Sequence, residues 1–405
     1  MSIFNNTHIL LGVTGSIAVY KAADLASKLT QSGAQVDVIL TPAAEKFITP
    51  LTFQSVTGRK AFTDNDLWGG EAHVLHVGLG HTASLMVIAP CTANTLASLA
   101  SGRADNLLTI TSLSADCPFV IAPAMDASMF SHQATRVNLE ILRKRNAVIV
   151  GPVEGRMASG LSGLGRMSEP AEIMGHIRLV LGREGSLKGQ KVVITAGGTQ
   201  EPLDPVRTLT NKSSGKQGYA LAQASLDAGA SVVLITAPAC LVPPVGARLV
   251  EARTAEEMLN AVLSESGGAD LLLMAAAVAD FRPAQSASEK LKKSEGIPQI
   301  KLEATTDILS VVCDAKNNKQ RPRLVVGFAA ESRDLLGNAA AKMKTKNLDM
   351  VVANDITAPD SGFAVDTNRV TLLFADGNQE SLSLMSKVEV AEIIVERVAA
   401  LLVKK

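Results

Sequence analysis

The chain is short of several features that mark functional classes. Its four cysteines, Cys91, Cys117, Cys240 and Cys313, form no C-x-x-C pair and join no histidine at metal-ligand spacing. A disulfide framework and a cysteine-based metal site are thereby excluded. An excess of one charge is also missing. With 39 basic and 39 acidic residues the formal net charge is zero, so nothing global draws the chain to nucleic acid or to an anionic lipid surface. The longest uncharged apolar run, Leu271 to Ala279, is far shorter than the roughly 20 residues that span a bilayer. The N-terminus lacks a basic leader, and its first apolar run, His8 to Val13, is interrupted by Gly12. It reads as a strand, not a signal peptide, and the cytoplasm is the expected compartment. The partners expected are small molecules, with no nucleic acid and no membrane.

What is present is aliphatic. Apolar residues make up 47% of the 405 and aromatics only 3%. That mixture suits parallel sheets covered by helices, in two or three domains. Two segments share one pattern: His8 to Pro42, and Lys191 to Thr199 continued by Gly218 to Pro238. Each is a buried strand, a glycine-rich turn, an amphipathic helix and a second buried strand. Each half therefore opens a βαβ unit of its own. The polar, glycine-rich stretch Gly182 to Gly189 separates them, giving expected domains at 1–185 and 189–405. Further strands are expected near Leu85–Ala89, Phe119–Ala122 and Val148–Val150, then near Asp270–Ala275, Leu324–Phe328 and Met350–Ala353. Val365–Asn368 with Val370–Phe374 reads as a hairpin. Ser386 and Glu389 read as a capping box before a final helix.

In the first half, Gly15, Ser16 and Ile17 sit at a strand-to-helix turn. Thr41 ends the next strand, and Thr92, Ala93, Asn94 and Thr95 follow the one after. Three small polar clusters at carboxyl-terminal strand ends form a ligand edge that favours an anion. Gly15-Ser16-Ile17-Ala18 with Tyr20-Lys21, His76-Val77, Pro123 to Phe130 and Gly160 to Met167 then resemble the flavin-dependent cysteine decarboxylase family. The resemblance implies a flavodoxin-like FMN domain. In that family FMN oxidises the substrate thiol, the adjacent carboxylate leaves as CO2, and the remaining enethiolate is reduced. It makes His76 the base, with His73 and His81 as nearby rivals. It places Asp126 where family members carry an asparagine for the substrate carboxylate. An ionised aspartate there repels a carboxylate by about 4 kcal/mol at about 4 Å in a moderate dielectric. It must be protonated, turned away or bridged. Ser159 stands where many members have a cysteine that protonates the enethiolate, and a hydroxyl is a far weaker acid.

In the second half, Thr195 to Thr199, Glu201 to Arg207 and Asn211 to Lys216 read as one long strand-to-helix loop of glycines, hydroxyls and two lysines. It is neither a Walker A loop nor the dinucleotide fingerprint. A loop of about 20 residues without secondary structure is expected to be functional. Ala275, Ala276 and Asp280 end a buried strand, and Lys290 opens a lysine run. Thr306, Asp307, Ile308 and Leu309 start a helix, Phe328 ends a strand, and Lys342 and Lys346 share a helix face. Cations, donors and carboxylates at strand ends suit a nucleoside triphosphate with Mg²⁺.

These motifs resemble the phosphopantothenate–cysteine ligases. With the first half, the order is that of the fused decarboxylase–ligases of coenzyme A synthesis. The resemblance implies a Rossmann-like domain that activates a carboxylate with CTP and passes the acyl-cytidylate to cysteine. Lys290 would neutralise phosphate and Asn211 would hold the acyl-cytidylate. Ala275, Ala276, Asp280 and Phe328 would frame the cytidine, while Thr306 to Leu309, Lys342 and Lys346 would hold the triphosphate side. It also implies a homo-oligomer, with trimeric flavin domains joined through ligase dimers. Two other readings are a dinucleotide-binding redox enzyme and a ligase whose flavin half is degenerate or regulatory. The missing G-x-G-x-x-G register opposes the first, and Asp126 and Ser159 motivate the second.

Overall fold

The structure, a computed structural model, describes residues 2–68, 74–158, 160–314, 321–331, 334–355 and 365–404. His73 and Ser159 lie outside the described residues. The chain divides into two compact units, Met1–Leu181 and Gly182–Lys405.

The first unit is a doubly wound parallel sheet. Its strands are β1 (His8–Val13), β2 (Gln35–Leu40), β3 (Ala61–Phe62), β4 (Leu85–Cys91), β5 (Phe119–Pro123) and β6 (Val148–Ile149), in the order β3-β2-β1-β4-β5-β6. Successive residues of each strand feed opposite cores. Ile9, Leu11, Val13, Val36, Val38 and Leu40 pack into one cluster, while Leu10, Ile39, Met86 and Ile88 pack into another. Both faces are buried, so the strands read as continuous apolar runs without alternation. A two-stranded ribbon, β7 (Val153–Arg156) with β8 (Ser162–Arg166), leaves the sheet before the helix Pro170–Gly182.

The second unit repeats the plan. Its strands begin with β9 (Lys191–Ala196), β10 (Gln200–Asp204), β11 (Arg207–Thr210), β12 (Ser231–Thr236), β13 (Arg248–Glu251), β14 (Leu271–Met274), β15 (Phe281–Pro283) and β16 (Leu302–Ala304). They continue as β17 (Leu324–Glu331), β18 (Met350–Asp355), β19 (Thr367–Asn368), β20 (Val370–Phe374), β21 (Gln379–Ser381) and β22 (Met385–Ser386). The main sheet runs β13-β12-β9-β14-β17-β18-β20-β21. It is parallel through β18, and β20 and β21 add antiparallel. The glycine-rich stretch after 181 packs tightly within this unit. A Cβ on Gly185 would lie 2.5 Å from the Ala228 backbone, and the buried Leu187 donates its N–H to the Ala228 carbonyl at 2.7 Å.

Two sequence expectations are corrected. The stretch after Thr199 is an antiparallel ribbon, β10 with β11, not a loop. The Asp204 carboxylate turns it by accepting the N–H groups of Val206 and Arg207 at 2.9 and 2.8 Å, the local chemistry of an Asx turn. Val365–Asn368 and Val370–Phe374 form no hairpin. Only Arg369 separates β19 from β20, and one residue cannot reverse an antiparallel pair. β19 instead pairs with β22, and β20 with β18 and β21. The final helix, Lys387–Lys404, starts at the expected capping box. The Ser386 N–H donates to Glu389 Oε2 at 2.8 Å, and the Glu389 N–H to Ser386 Oγ at 3.2 Å.

Candidate active sites

Both sheets reverse strand order beside their first strand, between β1 and β4 and between β9 and β14. That switch point opens a crevice at the carboxyl ends of the strands.

In the first unit the crevice is bound together by backbone contacts. The Thr14 hydroxyl donates to the Pro90 carbonyl at 2.7 Å and accepts the Thr92 N–H at 3.0 Å, joining the ends of β1 and β4. The Thr41 N–H donates to the Val13 carbonyl at 3.0 Å. Gly15 meets the segment after Thr41 so closely that a Cβ would lie 2.5 Å from Ala43 Cβ and 2.9 Å from its carbonyl carbon. Thr92 caps the helix Ala93–Ser101, accepting the Thr95 N–H at 3.4 Å. Gly15, Ser16, Ile17, Thr41 and Thr92 to Thr95 thus edge one crevice. None carries negative charge, and the helix Val19–Gln31 begins there with no acidic residue in its first turn. Hydroxyls, backbone N–H groups and the positive end of a helix fit a phosphate-bearing group such as FMN.

The ribbon β7–β8 docks on the same unit through glycines. The Met125 N–H donates to the Gly165 carbonyl at 3.0 Å. A Cβ on Gly165 would stand 2.2 Å from the Met125 carbonyl oxygen, and one on Gly163 2.9 Å from Ala127 Cβ. The strand β8 is thereby tied to the segment carrying Asp126. Asp126 is the N-cap of the helix Ala127–Ser131, and its Oδ1 accepts the N–H and the hydroxyl of Ser128 at 3.0 and 2.9 Å. His76 is half-buried on the helix Leu75–Thr82. Its carbonyl accepts the Ser114 hydroxyl at 2.9 Å, which fixes that helix against the helix Leu107–Ser114.

In the second unit the crevice widens into a cavity of about 740 Å³. Asn211, Ala275, Ala276, Asp280, Thr306, Asp307, Ile308, Leu309, Phe328, Lys342 and Lys346 all line it. Lys290 does not. It is exposed on the stretch between β15 and β16, beside Leu291, whose N–H and carbonyl are held by Asp204 and Arg207 at 3.2 and 3.1 Å.

The cavity walls are held by polar bonds between distant segments. The Thr195 hydroxyl accepts the Ala276 N–H at 3.1 Å, and the Thr199 hydroxyl the Ala279 N–H at 2.8 Å. The Asn211 amide donates to the Ala277 and Val278 carbonyls at 3.3 and 3.1 Å. Gly198 passes so close that a Cβ would lie 2.8 Å from the Asn211 carbonyl oxygen. Gly215, with φ +77°, starts the helix Lys216–Asp227 at the cavity edge, a conformation that only glycine adopts without strain.

Charge is paired around this wall. Lys346 pairs with Asp307, and the Lys342 ammonium donates to the Phe328 carbonyl at 2.7 Å. Burial alone would raise the Asp307 carboxyl. Lys346 and the Ser310 N–H outweigh it and hold the group below its ordinary range. Among the lining residues that sequence reasoning passed over are Asn368 and Lys387, both deeply buried. The available signal was the capping box at Ser386, which sets Lys387 in the first helical turn. Among the described residues no group of three or more His, Cys, Asp or Glu side chains is placed to hold a metal, and no helix is long and apolar enough to cross a membrane.

Residues 3–182 match the family described as flavoprotein, and residues 187–402 the family described as the DNA/pantothenate metabolism flavoprotein C-terminal domain. The coenzyme A biosynthesis bifunctional protein CoaBC of Bacillus subtilis is 43% identical, over 98% of this chain and 98% of its own. The protein of the same name from Mycobacterium tuberculosis is 43% identical over 97% and 96%. That of Vibrio cholerae is 41% identical over 95% and 96%.

Proposed function

The chain belongs to the family of coenzyme A biosynthesis bifunctional proteins, and from that premise we propose two reactions, one in each unit. The second unit joins cysteine to 4′-phosphopantothenate with CTP, and the first converts the resulting 4′-phosphopantothenoylcysteine to 4′-phosphopantetheine. The observation that carries this reading is one cavity of about 740 Å³ lined by eleven of the positions that the resemblance to the ligases implies.

For ligation, the phosphopantothenate carboxylate attacks the α-phosphorus of CTP and pyrophosphate leaves. The amine of cysteine then displaces CMP from the acyl-cytidylate. Backbone N–H groups at Gly215 and the cavity lysines bind the triphosphate. Asn211, whose amide N–H groups are held on the Ala277 and Val278 carbonyls, faces the cavity where the activated acyl group forms. The triphosphate oxygens would hold Mg²⁺, which would supply charge neutralisation to the leaving phosphates. Lys290 acts from the segment between β15 and β16, which is held on the β10–β11 ribbon.

For decarboxylation, FMN is the cofactor, and when bound it supplies oxidation of the substrate thiol. The residues of the chain bind and protonate. Ser16, Thr41, Thr92 and Thr95 edge the flavin crevice, and His76 serves as base near the thiol and the departing carboxylate. Asp126 keeps the capping role that an asparagine would also perform through Oδ1. Ser159, outside the described residues, relays a proton to the enethiolate. The chain acts in the cytoplasm as a homo-oligomer.

The test supplies purified, FMN-loaded protein with CTP, Mg²⁺, cysteine and 4′-phosphopantothenate. CMP, pyrophosphate and CO2 should appear in equal amounts, with saturated 4′-phosphopantetheine as product. CMP without CO2 would favour the second reading, a working ligase beside a degenerate flavin unit. Absence of CMP would refute the ligase assignment.

A further inference from the structure

The turn of the β10–β11 ribbon is exposed from Pro205 to Thr208, yet the Asp204 side chain beside it is 0% exposed. A carboxylate is almost never this deeply buried unless it is paired, and here its two oxygens divide the work. Oδ1 accepts the N–H groups of Val206 and Arg207 and so makes the turn. Oδ2 accepts the Arg207 guanidinium at 3.0 Å and the Leu291 N–H, 87 positions further along the chain, at 3.2 Å. The same guanidinium nitrogen, Nη1, donates to the Leu291 carbonyl at 3.1 Å. One ion pair therefore brackets both backbone groups of a single distant residue. Burial alone would raise the Asp204 carboxyl, but the N–H groups of Val206, Leu291 and Arg207, with the Arg207 charge, hold it below its ordinary range.

Leu291 belongs to the stretch between β15 and β16 that carries Lys290. Ala287 and Leu291 are half-buried there, while Ser286, Ser288, Glu289, Lys290, Lys292 and Lys293 are exposed. The two half-buried residues are the two that bond to the ribbon. The Ala287 N–H donates to the Leu203 carbonyl at 3.0 Å, and Leu291 is held at Asp204 and Arg207. The ribbon is itself fixed at its other end. The Gln200 N–H donates to the Arg253 carbonyl at 2.8 Å, and the buried Glu201 carboxylate accepts the Ala255 N–H at 2.8 Å. A line of hydrogen bonds thus runs from the segment before the helix Ala255–Ser266, along the ribbon, to the residue that follows Lys290.

We propose that Asp204 is the positioning residue for Lys290. Its Oδ2 fixes the peptide group that joins Lys290 to Leu291, so the lysine leaves a backbone of set direction, not a free strap. Conformational freedom that the strap would otherwise lose when Lys290 meets phosphate is lost on folding instead. The inference rests on the reading above in which Lys290 neutralises phosphate, and it adds the group that holds Lys290 for that role. Asp204 itself touches no reacting atom and acts through Lys290.

Asp204→Asn separates the two oxygens. Asparagine keeps an oxygen for the turn, a role the two residues share, and puts an amide donor where Oδ2 met two donors. The full chain is assayed for CMP and pyrophosphate release, for CMP binding by calorimetry, and for tryptic cleavage after Lys290, Lys292 and Lys293 by mass spectrometry. Asp204→Asn should slow ligation about tenfold or more and speed cleavage at those lysines severalfold, with CMP binding unchanged. Combined with Lys290→Gln, it should make ligation no slower than Lys290→Gln alone, because both changes remove one contribution. A role for Asp204 independent of Lys290 would multiply the two losses, and that result overturns the proposal. Wild-type ligation or wild-type cleavage in an Asp204→Asn protein that still binds CMP also overturns it. If that variant loses CMP, its fold is damaged and Arg207→Met decides. The Arg207 side chain is 47% exposed, and its loss leaves Oδ1 and the turn in place. Arg207→Met should slow ligation and speed cleavage, and a wild-type value of either refutes the proposal. Wild-type ligation by Lys290→Gln itself defeats the Lys290 reading, and the proposal with it, whatever Asp204→Asn does.

Discussion

The two units share a strand order, and each places its crevice beside its first strand, yet they fill that crevice by different means. The first unit closes its site with glycines pressed against neighbouring segments. Gly15 lies on Ala43, Gly165 on the Met125 carbonyl and Gly163 on Ala127. The second lines an open cavity with long charged side chains, Lys212, Lys216, Lys342, Lys346 and Lys387, against Asp280 and Asp307. One topology therefore supports two kinds of tolerance. Backbone contacts fail all at once when a methyl group is added, because packed interiors do not yield gradually. Charged contacts weaken by degrees, because each is one of several.

The largest effect should follow the smallest substitution. Gly165→Ala places a carbon 2.2 Å from the Met125 oxygen, so the ribbon must lift from the Asp126 segment. Decarboxylation, read as CO2 release from supplied phosphopantothenoylcysteine, should fall by about 100-fold or more, since misplacement of about 1 Å already has that effect. CMP formation should stay at its wild-type rate. Near-normal CO2 release from Gly165→Ala would end the claim that backbone docking makes the first site.

Next comes Lys290→Gln. Ligation should fall by at least about tenfold, the weight of one charge on a phosphate, while CMP affinity is unchanged because Lys290 stands outside the cavity. CO2 release should also be unaffected. A joint loss of both activities in folded protein would show that the units are not independent.

A smaller change is expected at Asp126. Asp126→Asn keeps the Oδ1 cap on Ser128 and removes a negative charge near the substrate carboxylate. The KM for phosphopantothenoylcysteine should drop severalfold, with protein stability unchanged. A rise in KM would mean that the carboxylate is needed in its own right.

What was legible in the sequence follows the same division. Buried strands announced themselves because both faces are apolar, so β1, β4, β9 and β14 fall where expected. The cavity positions came from the resemblance to the ligases, and of these Asp280 also shows as the polar residue that closes the apolar run Leu271 to Ala279. Short and polar strands were not. Ala61–Phe62 has too few residues to show a period. β10 and β11 look like a loop because most of their residues are polar and Pro202 interrupts the first. The glycine contacts were beyond sequence reasoning, since Gly163 and Gly165 matter through what lies opposite them, Ala127 and Met125, nearly forty residues away. Lys387 escaped for a related reason. A lysine beside a capping box looks like a solvated helix start until β19 and β22 bury it.

The smallest effect tests whether the second site rests on charge at all. Asp307 accepts the Ser310 N–H at 2.9 Å and pairs with Lys346. Its pKa is lower in the folded chain than in the unfolded one. Folding therefore favours the ionised form. The stability this contributes is complete above the unfolded value of about 4 and is lost as the pH falls from there through the folded pKa. Asp307→Asn retains an oxygen for the Ser310 N–H and so retains the cap, but it loses the attraction to Lys346. Because the Asp307 side chain is 43% exposed, solvent screens the pair and its worth is about 1 kcal/mol or less. The variant should melt slightly below wild type at pH 7. The gap should hold down to about pH 5 and shrink toward zero below about pH 4, as the wild-type carboxyl also becomes neutral. Calorimetric melting of the full chain across that range reads it directly. A gap that persists unchanged into acid would mean that shape, not charge, sets this wall, and the contrast between the two crevices would then reduce to a difference in size.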